Sequence, residues 1–397
     1  MKKLAILGST GSIGTATLDV VRHFPDRCGV VALAAGRNLA LLQEQIAQFR
    51  PQVVAVAEAE AAAALARQFP EVVFLSGEEG RLAVATHPEV TTVVSAFVGA
   101  LGLPATYAAV KAGKELLLAN KETLVVAGTL MMAEAQRSGS RIIPVDSEHN
   151  GLFQALQVGP LGSARRLILT ASGGPFRTRS FAELANVTPQ EALAHPTWRM
   201  GAKITVDSAT MMNKGLEIIE AHHLFAFPPE AIDVVVHPES RVHALVEYAD
   251  GTLIAQLSVN DMRAPIMYAL AFPERWATPF GRLDLIALGA LHFEAPDLQR
   301  FPCLGLARQA LQAGGTAPAV LNAANEVAVE LFLAGRLPFL GIAELVRRVL
   351  EEELEHLGEV RSLEDALAAD RRGRQRAWAW ATSLARWGRK NNAGELG

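Results

Sequence analysis

The chain is short of cysteine, of long apolar runs and of charge of one sign, and each shortage excludes something. Among 397 residues there are two cysteines, Cys28 and Cys303, and neither sits in a C-x-x-C pair. That count excludes a disulfide framework and sets the expectation of a reducing compartment, the cytoplasm. No stretch approaches the ~18 continuous apolar residues of a membrane span, so no membrane association is expected. Met1-Lys2-Lys3 followed by Leu4-Ala5-Ile6-Leu7 opens like an export signal, but the apolar run stops at Gly8, too soon for a secretory core. Lysine and arginine number 37 against 41 acids, a net charge of −4. Nothing in that balance draws the chain to nucleic acid. No internal repeat marks a solenoid.

What is present is a large apolar fraction, 50% of residues against 20% charged, enough for a sizeable core and more than one domain. Short apolar strands at 4–7, 30–34, 53–56, 92–96 and 115–119 alternate with helical patterns at 13–24, 39–49, 59–68 and 103–112. Continuous apolar strands alternating with helices imply a parallel sheet covered on both faces. The fold expected is α/β, with a Rossmann-like doubly wound N-terminal domain over 1–145. Beyond a last strand at 142–145 the pattern changes. Strand-like runs at 167–170, 234–237, 241–248 and 252–259, with helices around 209–224, suggest a central α+β domain over 146–271. Ala249-Asp250-Gly251 between the last two runs is a hairpin signal. A Pro-rich, weakly periodic linker covers 272–303. Helical patterns at 304–313, 318–334, 341–357 and 362–386 then predict a C-terminal α-helical bundle over 304–389, with a disordered tail at 390–397.

Gly8-Ser9-Thr10-Gly11-Ser12-Ile13-Gly14 joins the first strand to the first helix. Glycines there let the backbone turn tightly and approach a pyrophosphate, which N–H groups at the helix N-terminus hold. The spacing is G-x-x-G-x-x-G, so its place in the first βα turn carries more weight than the pattern itself. A turn that only packs helix on strand is the competing reading. The second strand ends in Ala34-Ala35-Gly36-Arg37-Asn38, without the acid that binds a ribose 2′-hydroxyl. An arginine there suits a 2′-phosphate, hence NADP, unless it is a solvated surface cation.

Asn120-Lys121-Glu122-Thr123 follows an apolar strand, where ligands of parallel sheets bind. Lys121 either polarises a substrate oxygen, neutralises a phosphate or is an exposed loop residue. In Val145-Asp146-Ser147-Glu148-His149-Asn150, an extended backbone would point Asp146 and Glu148 the same way, as two hard oxygen ligands. A third carboxylate closes the block from Asp207 to Glu217. There Asp207 or Ser208 would cap a helix carrying Asn213 and Glu217 one turn apart, with Lys214 adjacent. Oxygen ligands without a cysteine cluster favour Mg²⁺ or Mn²⁺ over structural zinc; paired surface acids are the alternative. Ser172-Gly173-Gly174 after a strand exposes N–H groups to an anion, or is an ordinary turn. His195-Pro196-Thr197-Trp198-Arg199-Met200-Gly201 reads as a lid that excludes water, or as a surface loop anchored by its tryptophan. His222-His223 reads as a helix end. The basic stretch 371–390 reads as a packed helix with a solvated face.

Taken together these blocks, with Leu321-Asn322-Ala323-Ala324-Asn325-Glu326 near the C-terminus, resemble the 1-deoxy-D-xylulose 5-phosphate reductoisomerase family from about residue 4 to about 370. The resemblance implies an enzyme of isoprenoid precursor synthesis. It isomerises and reduces 1-deoxy-D-xylulose 5-phosphate to 2-C-methyl-D-erythritol 4-phosphate with NADPH and Mg²⁺ or Mn²⁺, as a homodimer. Carried over by residue, Thr10, Gly11, Ser12, Ile13, Gly36, Arg37, Asn38, Asn120, Glu122 and Gly201 contact NADPH. Asp146, Glu148 and Glu217 hold the metal. Lys121, Ser147, Glu148, Ser172, His195, Ser208, Asn213, Lys214 and Glu217 contact the sugar phosphate, with Ser172, Ser208, Asn213 and Lys214 on its phosphate. Lys121 and the three metal carboxylates are the catalytic set. On the residues alone two rivals stay open. A plain NADP-dependent dehydrogenase needs no metal, and a non-catalytic NADP sensor has no use for three carboxylates beside a phosphate grip.

Overall fold

A computed structural model describes residues 1–198 and 200–392, the last ten of these as backbone only. Arg199 in the expected lid, and the end of the expected tail from Ala393, lie outside the described residues. The N-terminal elements are β1 (Lys2–Leu7), α1 (Ser12–His23), β2 (Cys28–Ala34), α2 (Leu39–Phe49), β3 (Val53–Val56), α3 (Ala59–Gln68), β4 (Val73–Ser76) and α4 (Gly77–Thr86). Next come β5 (Thr92–Ser95), α5 (Leu103–Lys111), β6 (Glu115–Leu118), α6 (Glu122–Ser138), β7 (Ile142–Pro144) and α7 (Ser147–Ala155). The middle of the chain holds β8 (Ala164–Ala171), α8 (Phe181–Leu184), α9 (Pro189–Ala192), α10 (Ala202–Ala209), α11 (Met212–Phe225), β9 (Ile232–Val236), β10 (Val242–Tyr248), β11 (Leu253–Leu257) and α12 (Arg263–Ala271). A short α13 (Leu285–Leu288) precedes α14 (Cys303–Ala313), α15 (Ala317–Leu333), α16 (Phe339–Glu353) and α17 (Leu363–Asn392).

Seven strands form one parallel sheet in the order β4-β3-β2-β1-β5-β6-β7. β1 lies inside it, and Leu4, Ala5, Ile6 and Leu7 are all fully buried, as a continuous apolar run in a sheet covered on both faces requires. Leu7 stands opposite Ala34 on one side and Ser95 on the other. The chain leaves β1 toward β2 and later returns to its other side at β5, which opens a crevice at the carboxyl ends of the strands. The other four strands are ordered β11-β10-β8-β9. The expected hairpin is there: β10 and β11 pair antiparallel, Val246 opposite Ile254, and Gly251 turns between them at φ +83°.

The chain divides into two compact units: Met1–Thr123, Met131–Leu167 and Arg241–Ala290 in the first; Leu124–Leu130, Ile168–Ser240 and Leu291 onward in the second. In the first, α12 returns to pack on α1. Its Ile266 and Leu270 are fully buried in one core with Leu18, Val21 and Leu33, each contributing about 1.5–3 kcal/mol by leaving water. Arg263 at its start pairs with Asp19 of α1 at 2.7 Å and lies over the Phe280 ring. In the second unit α15 is the central helix. Val320, Leu321, Ala324, Val327, Ala328 and Phe332 are buried, and α14, α16 and α17 pack against it.

Three departures from the sequence expectation have local causes. α6 was not expected, because Leu124-Val125-Val126-Ala127-Gly128 is β-branched and glycine-bearing, poor helix composition; the helix does kink there, at Ala127 (φ −139°). β4 and α4 were hidden by Gly77 and Gly80, which read as loop. The tail expected from 390 is helical through Asn392: no proline stands between 363 and 392 to stop the helix.

Candidate active site

The glycine turn after β1 is built for close approach. Gly8 has φ +93°, and a Cβ there would lie 2.6 Å from the Ala96 carbonyl oxygen; one on Gly14 would lie 2.3 Å from the Gly8 carbonyl oxygen. Glycine alone fits both positions. Gly11 stands at the N-cap of α1 with no side-chain hydrogen bond capping the helix, so the turn bearing Thr10, Gly11, Ser12 and Ile13 offers backbone donors to a phosphate. The Gly8 and Ser9 N–H groups donate to the Ala34 oxygen at 2.8 and 3.0 Å. Those two bonds set the turn beside Gly36, Arg37 and Asn38 at the end of β2. Arg37 is exposed, and Asn38 caps α2 by accepting from the Leu41 N–H at 3.2 Å. This cradle fits a dinucleotide, with Arg37 free to swing onto a 2′-phosphate.

Beyond β6, Asn120 is buried and its side chain is fully committed. It donates to the Phe97 and Gly99 carbonyls and to Glu122 Oε2, and accepts from the Thr123 N–H at 3.0 Å. It therefore fixes the loops after β5 and β6. Lys121, 5% exposed, sets its ammonium 2.7 Å from Asp146 Oδ2 at the end of the adjacent β7. The segment at Asp146 is not extended, as the alternation argument assumed. Asp146 is the N-cap of α7, its Oδ1 accepting from the Ser147 N–H at 3.1 Å, and Glu148 lies in the first turn, accepting from the Ser147 hydroxyl. Acids at a helix start are stabilised by its dipole, and that preference overrides alternation. His149, given no role by sequence, is fully buried with Nδ1 3.8 Å from Asp146 Oδ2. The hard oxygen donors and the ammonium already drawn to Asp146 fit a divalent cation of the Mg²⁺ or Mn²⁺ class.

In the second unit, β8 ends at Ala171 and Ser172 follows it directly. Gly173 and Gly174 follow at φ +81° and +68°, and a Cβ on Gly174 would lie 2.8 Å from the Ser208 carbonyl oxygen. His195 Nε2 lies between two hydroxyls, 3.0 Å from Ser172 Oγ and 3.1 Å from Ser208 Oγ. Its Nδ1 accepts from the Thr197 and Trp198 N–H groups at 3.2 and 3.0 Å. With Nδ1 an acceptor, the proton of the neutral ring sits on Nε2. Burial also holds the imidazole below its ordinary pKa, because the charged form loses its hydration. Ser172, His195 and Ser208 thus gather two hydroxyls and an imidazole N–H, all neutral donors of the kind that suits an anion. Gly201 is the N-cap of α10. On α11, Glu217 is fully buried and accepts from Asn213 Nδ2 at 2.6 Å, with Lys214 Nζ at 2.6 Å from its other oxygen. The one-turn spacing read from sequence holds, but the cap does not. Asp207 and Ser208 lie inside α10, and Met211 at φ +61° makes the break before α11, a strained conformation for a side chain with a Cβ. Of the expected metal carboxylates, Asp146 and Glu148 belong to the first unit and Glu217 to the second.

Comparison with known proteins covers nearly the whole chain. Family models for 1-deoxy-D-xylulose 5-phosphate reductoisomerase match residues 4–128, those for its C-terminal domain 142–225, and those for the DXP reductoisomerase C-terminal domain 257–376. The 1-deoxy-D-xylulose 5-phosphate reductoisomerase of Anaeromyxobacter sp. (strain K) is 56% identical over 95% of this chain and 96% of its own. That of Moorella thermoacetica is 54% identical over 96% and 99%. Among solved structures, a DOX-P reductoisomerase in complex with NADPH, fosmidomycin and magnesium matches with a TM-score of 0.91 at 42% identity, over 97% of this chain and 99% of that one. The Zymomonas mobilis enzyme in complex with NADPH matches with a TM-score of 0.89 at 43% identity, over 96% and 99%. This chain belongs to the 1-deoxy-D-xylulose 5-phosphate reductoisomerase family.

Proposed function

We infer that the chain converts 1-deoxy-D-xylulose 5-phosphate to 2-C-methyl-D-erythritol 4-phosphate, a step toward isoprenoid precursors, as an NADPH-dependent oxidoreductase requiring a divalent metal. The observation that carries this is family membership over nearly the full length, with a relative 56% identical over 95% of the chain. Relatives bound to NADPH and to fosmidomycin with magnesium support the same cofactors here.

The residue roles are those the family resemblance implies, and the chemistry at each position suits them. The turn from Thr10 to Ile13 holds the pyrophosphate, and Gly36, Arg37 and Asn38 hold the phosphorylated ribose. Gly201 and Glu122 also contact the cofactor; Asn120 acts by holding Glu122 and the loop after β5. Ser172, His195 and Ser208 grip the substrate phosphate with neutral donors, while Asn213 and Lys214 add one further amide and one cation. Such a grip, remote from the reacting carbons, orients the substrate and is realised as transition-state binding. Asp146, Glu148 and Glu217 supply the metal ligands, and Ser147 contacts the substrate beside them. When bound, the divalent ion supplies Lewis acidity at the substrate's neighbouring oxygens and NADPH supplies the hydride. Lys121, buried against Asp146, donates to an oxygen that gains negative charge as the carbon skeleton rearranges. The ring of His195 keeps its proton on Nε2 throughout, because two backbone donors occupy Nδ1.

Manganese serves as well as magnesium, since all the ligands are hard oxygens. We also infer that the protein works in the cytoplasm as a homodimer, with edge strand β11, where Leu253 is half exposed, covered by a second copy. Among the described residues no helix is long and apolar enough to cross a membrane. The test of the activity is product identity. Incubation with NADPH and 1-deoxy-D-xylulose 5-phosphate yields the branched tetrol phosphate by NMR. Reduction of the unrearranged ketone in its place would identify a plain dehydrogenase.

A further inference from the structure

The phosphate grip just described depends on α10, and α10 is held from behind. Asp207, one residue before Ser208, is a carboxylate with 1% exposure. A charge so buried is costly unless both oxygens find donors. They do: Asn325 Nδ2 on α15 donates to Oδ1 at 2.7 Å, and Lys203 Nζ, one turn earlier on α10, lies 2.9 Å from Oδ2. Asn325 is itself fully buried. Its bond to Asp207 ties α10 to the central helix of the bundle, across 118 residues of sequence. The residues that follow Asp207 are bound to the same point. The Thr210 hydroxyl donates to the Asp207 carbonyl at 3.2 Å and accepts from the Met212 N–H at 3.3 Å, spanning the strained Met211. On the other side, Gly174 packs against the Ser208 carbonyl so closely that a Cβ would not fit. The register of α10 therefore decides where the Ser208 hydroxyl stands relative to Ser172 and His195, and a charge-assisted bond from Asn325 sets that register.

We propose that Asn325, acting through Asp207, is a positioning residue for recognition of the substrate's phosphate. It touches no substrate; it holds the helix that carries Ser208. This rests on the reading of Ser172, His195 and Ser208 as the phosphate grip.

Steady-state kinetics of the full-length enzyme with saturating metal test it. Asn325→Leu keeps the size and removes the donor, and is expected to raise KM for 1-deoxy-D-xylulose 5-phosphate by about tenfold, the worth of one hydrogen bond to a charge. kcat should fall by less than about threefold, and NADPH affinity should stay within about twofold. The exchange variant Asp207→Asn/Asn325→Asp restores an N–H to carboxylate bond in the opposite sense and should recover most of the lost KM. If Asn325→Leu does not fold, the exchange variant decides alone: near-normal KM supports the proposal and a tenfold rise overturns it. Parallel loss of NADPH affinity and substrate affinity in Asn325→Leu would mark a general structural role and overturn it too. Ser208→Ala separates the two readings. If it raises KM while Asn325→Leu leaves KM unchanged, the phosphate grip stands and the positioning role of Asn325 falls. If Ser208→Ala itself leaves KM unchanged, the grip was misassigned and the inference falls with it.

Discussion

At the scale of single residues, charge placement makes the sharpest demands. Arg37 stands exposed beside the glycine turn with no acid near the end of β2. Arg37→Asp should weaken NADPH binding by tenfold or more, about one charge-assisted hydrogen bond, and leave NADH binding within a few-fold. Fluorescence titration with both nucleotides checks this, and equal losses would remove Arg37 from the 2′-phosphate. His223 gives a pH dependence. Its ring packs against Gly128, and burial pushes its pKa down to about 4, with His222 adding to the fall. A depressed folded value means the neutral ring contributes stability above the unfolded value of 6.5, and that contribution is lost as pH falls toward 4. Chemical denaturation at pH 7 and pH 4 should therefore show the wild type losing up to about 3 kcal/mol more than His223→Phe, which does not titrate. Equal losses in the two proteins would show that His223 is already hydrated in the folded state.

At the scale of elements, packing settles what propensity leaves open. α6 forms from a β-branched, glycine-bearing run because Gly128 admits the His223 ring of α11, where a Cβ would come within 2.1 Å of it. Gly128→Ala should cost about 1–3 kcal/mol through overpacking, read as a lower melting temperature, although alanine is the better helix former. A gain in stability would mean that propensity, not the ring contact, governs this helix. β1, β2, β3, β5 and β6 were readable because continuous apolar runs between helical patterns admit little else. α12 was not, because Arg263-Ala264-Pro265-Ile266-Met267-Tyr268 is apolar on nearly all sides, and that lack of periodicity records burial against α1. In the site, the Asn213, Lys214 and Glu217 spacing was legible from helix geometry alone. The helical start at Asp146 was hidden, since alternating acids and an N-cap look alike in six residues. The bond between Asn325 and Asp207 joins distant segments, and no local pattern announces such a pair.

At the scale of the whole molecule, the inferred reaction requires NADPH, the sugar phosphate and a divalent metal together, in a chain that works as a pair. The inferred homodimer is checked by light scattering, where twice the 42.4 kDa chain mass is expected; a single-chain mass would leave the β11 edge without its cover. Glu217→Gln keeps side-chain size but removes a ligand charge, and should lower turnover by at least about a hundredfold while NADPH affinity holds within about twofold. The most direct measurement is NADPH oxidation driven by 1-deoxy-D-xylulose 5-phosphate, before chelation, after EDTA and after adding back Mg²⁺ or Mn²⁺. Oxidation is expected to need both the sugar phosphate and the metal, to be lost on chelation while NADPH still binds, and to return with either ion. Full-rate turnover in the chelated enzyme would contradict it, and would return Asp146, Glu148 and Glu217 to the role of paired structural acids.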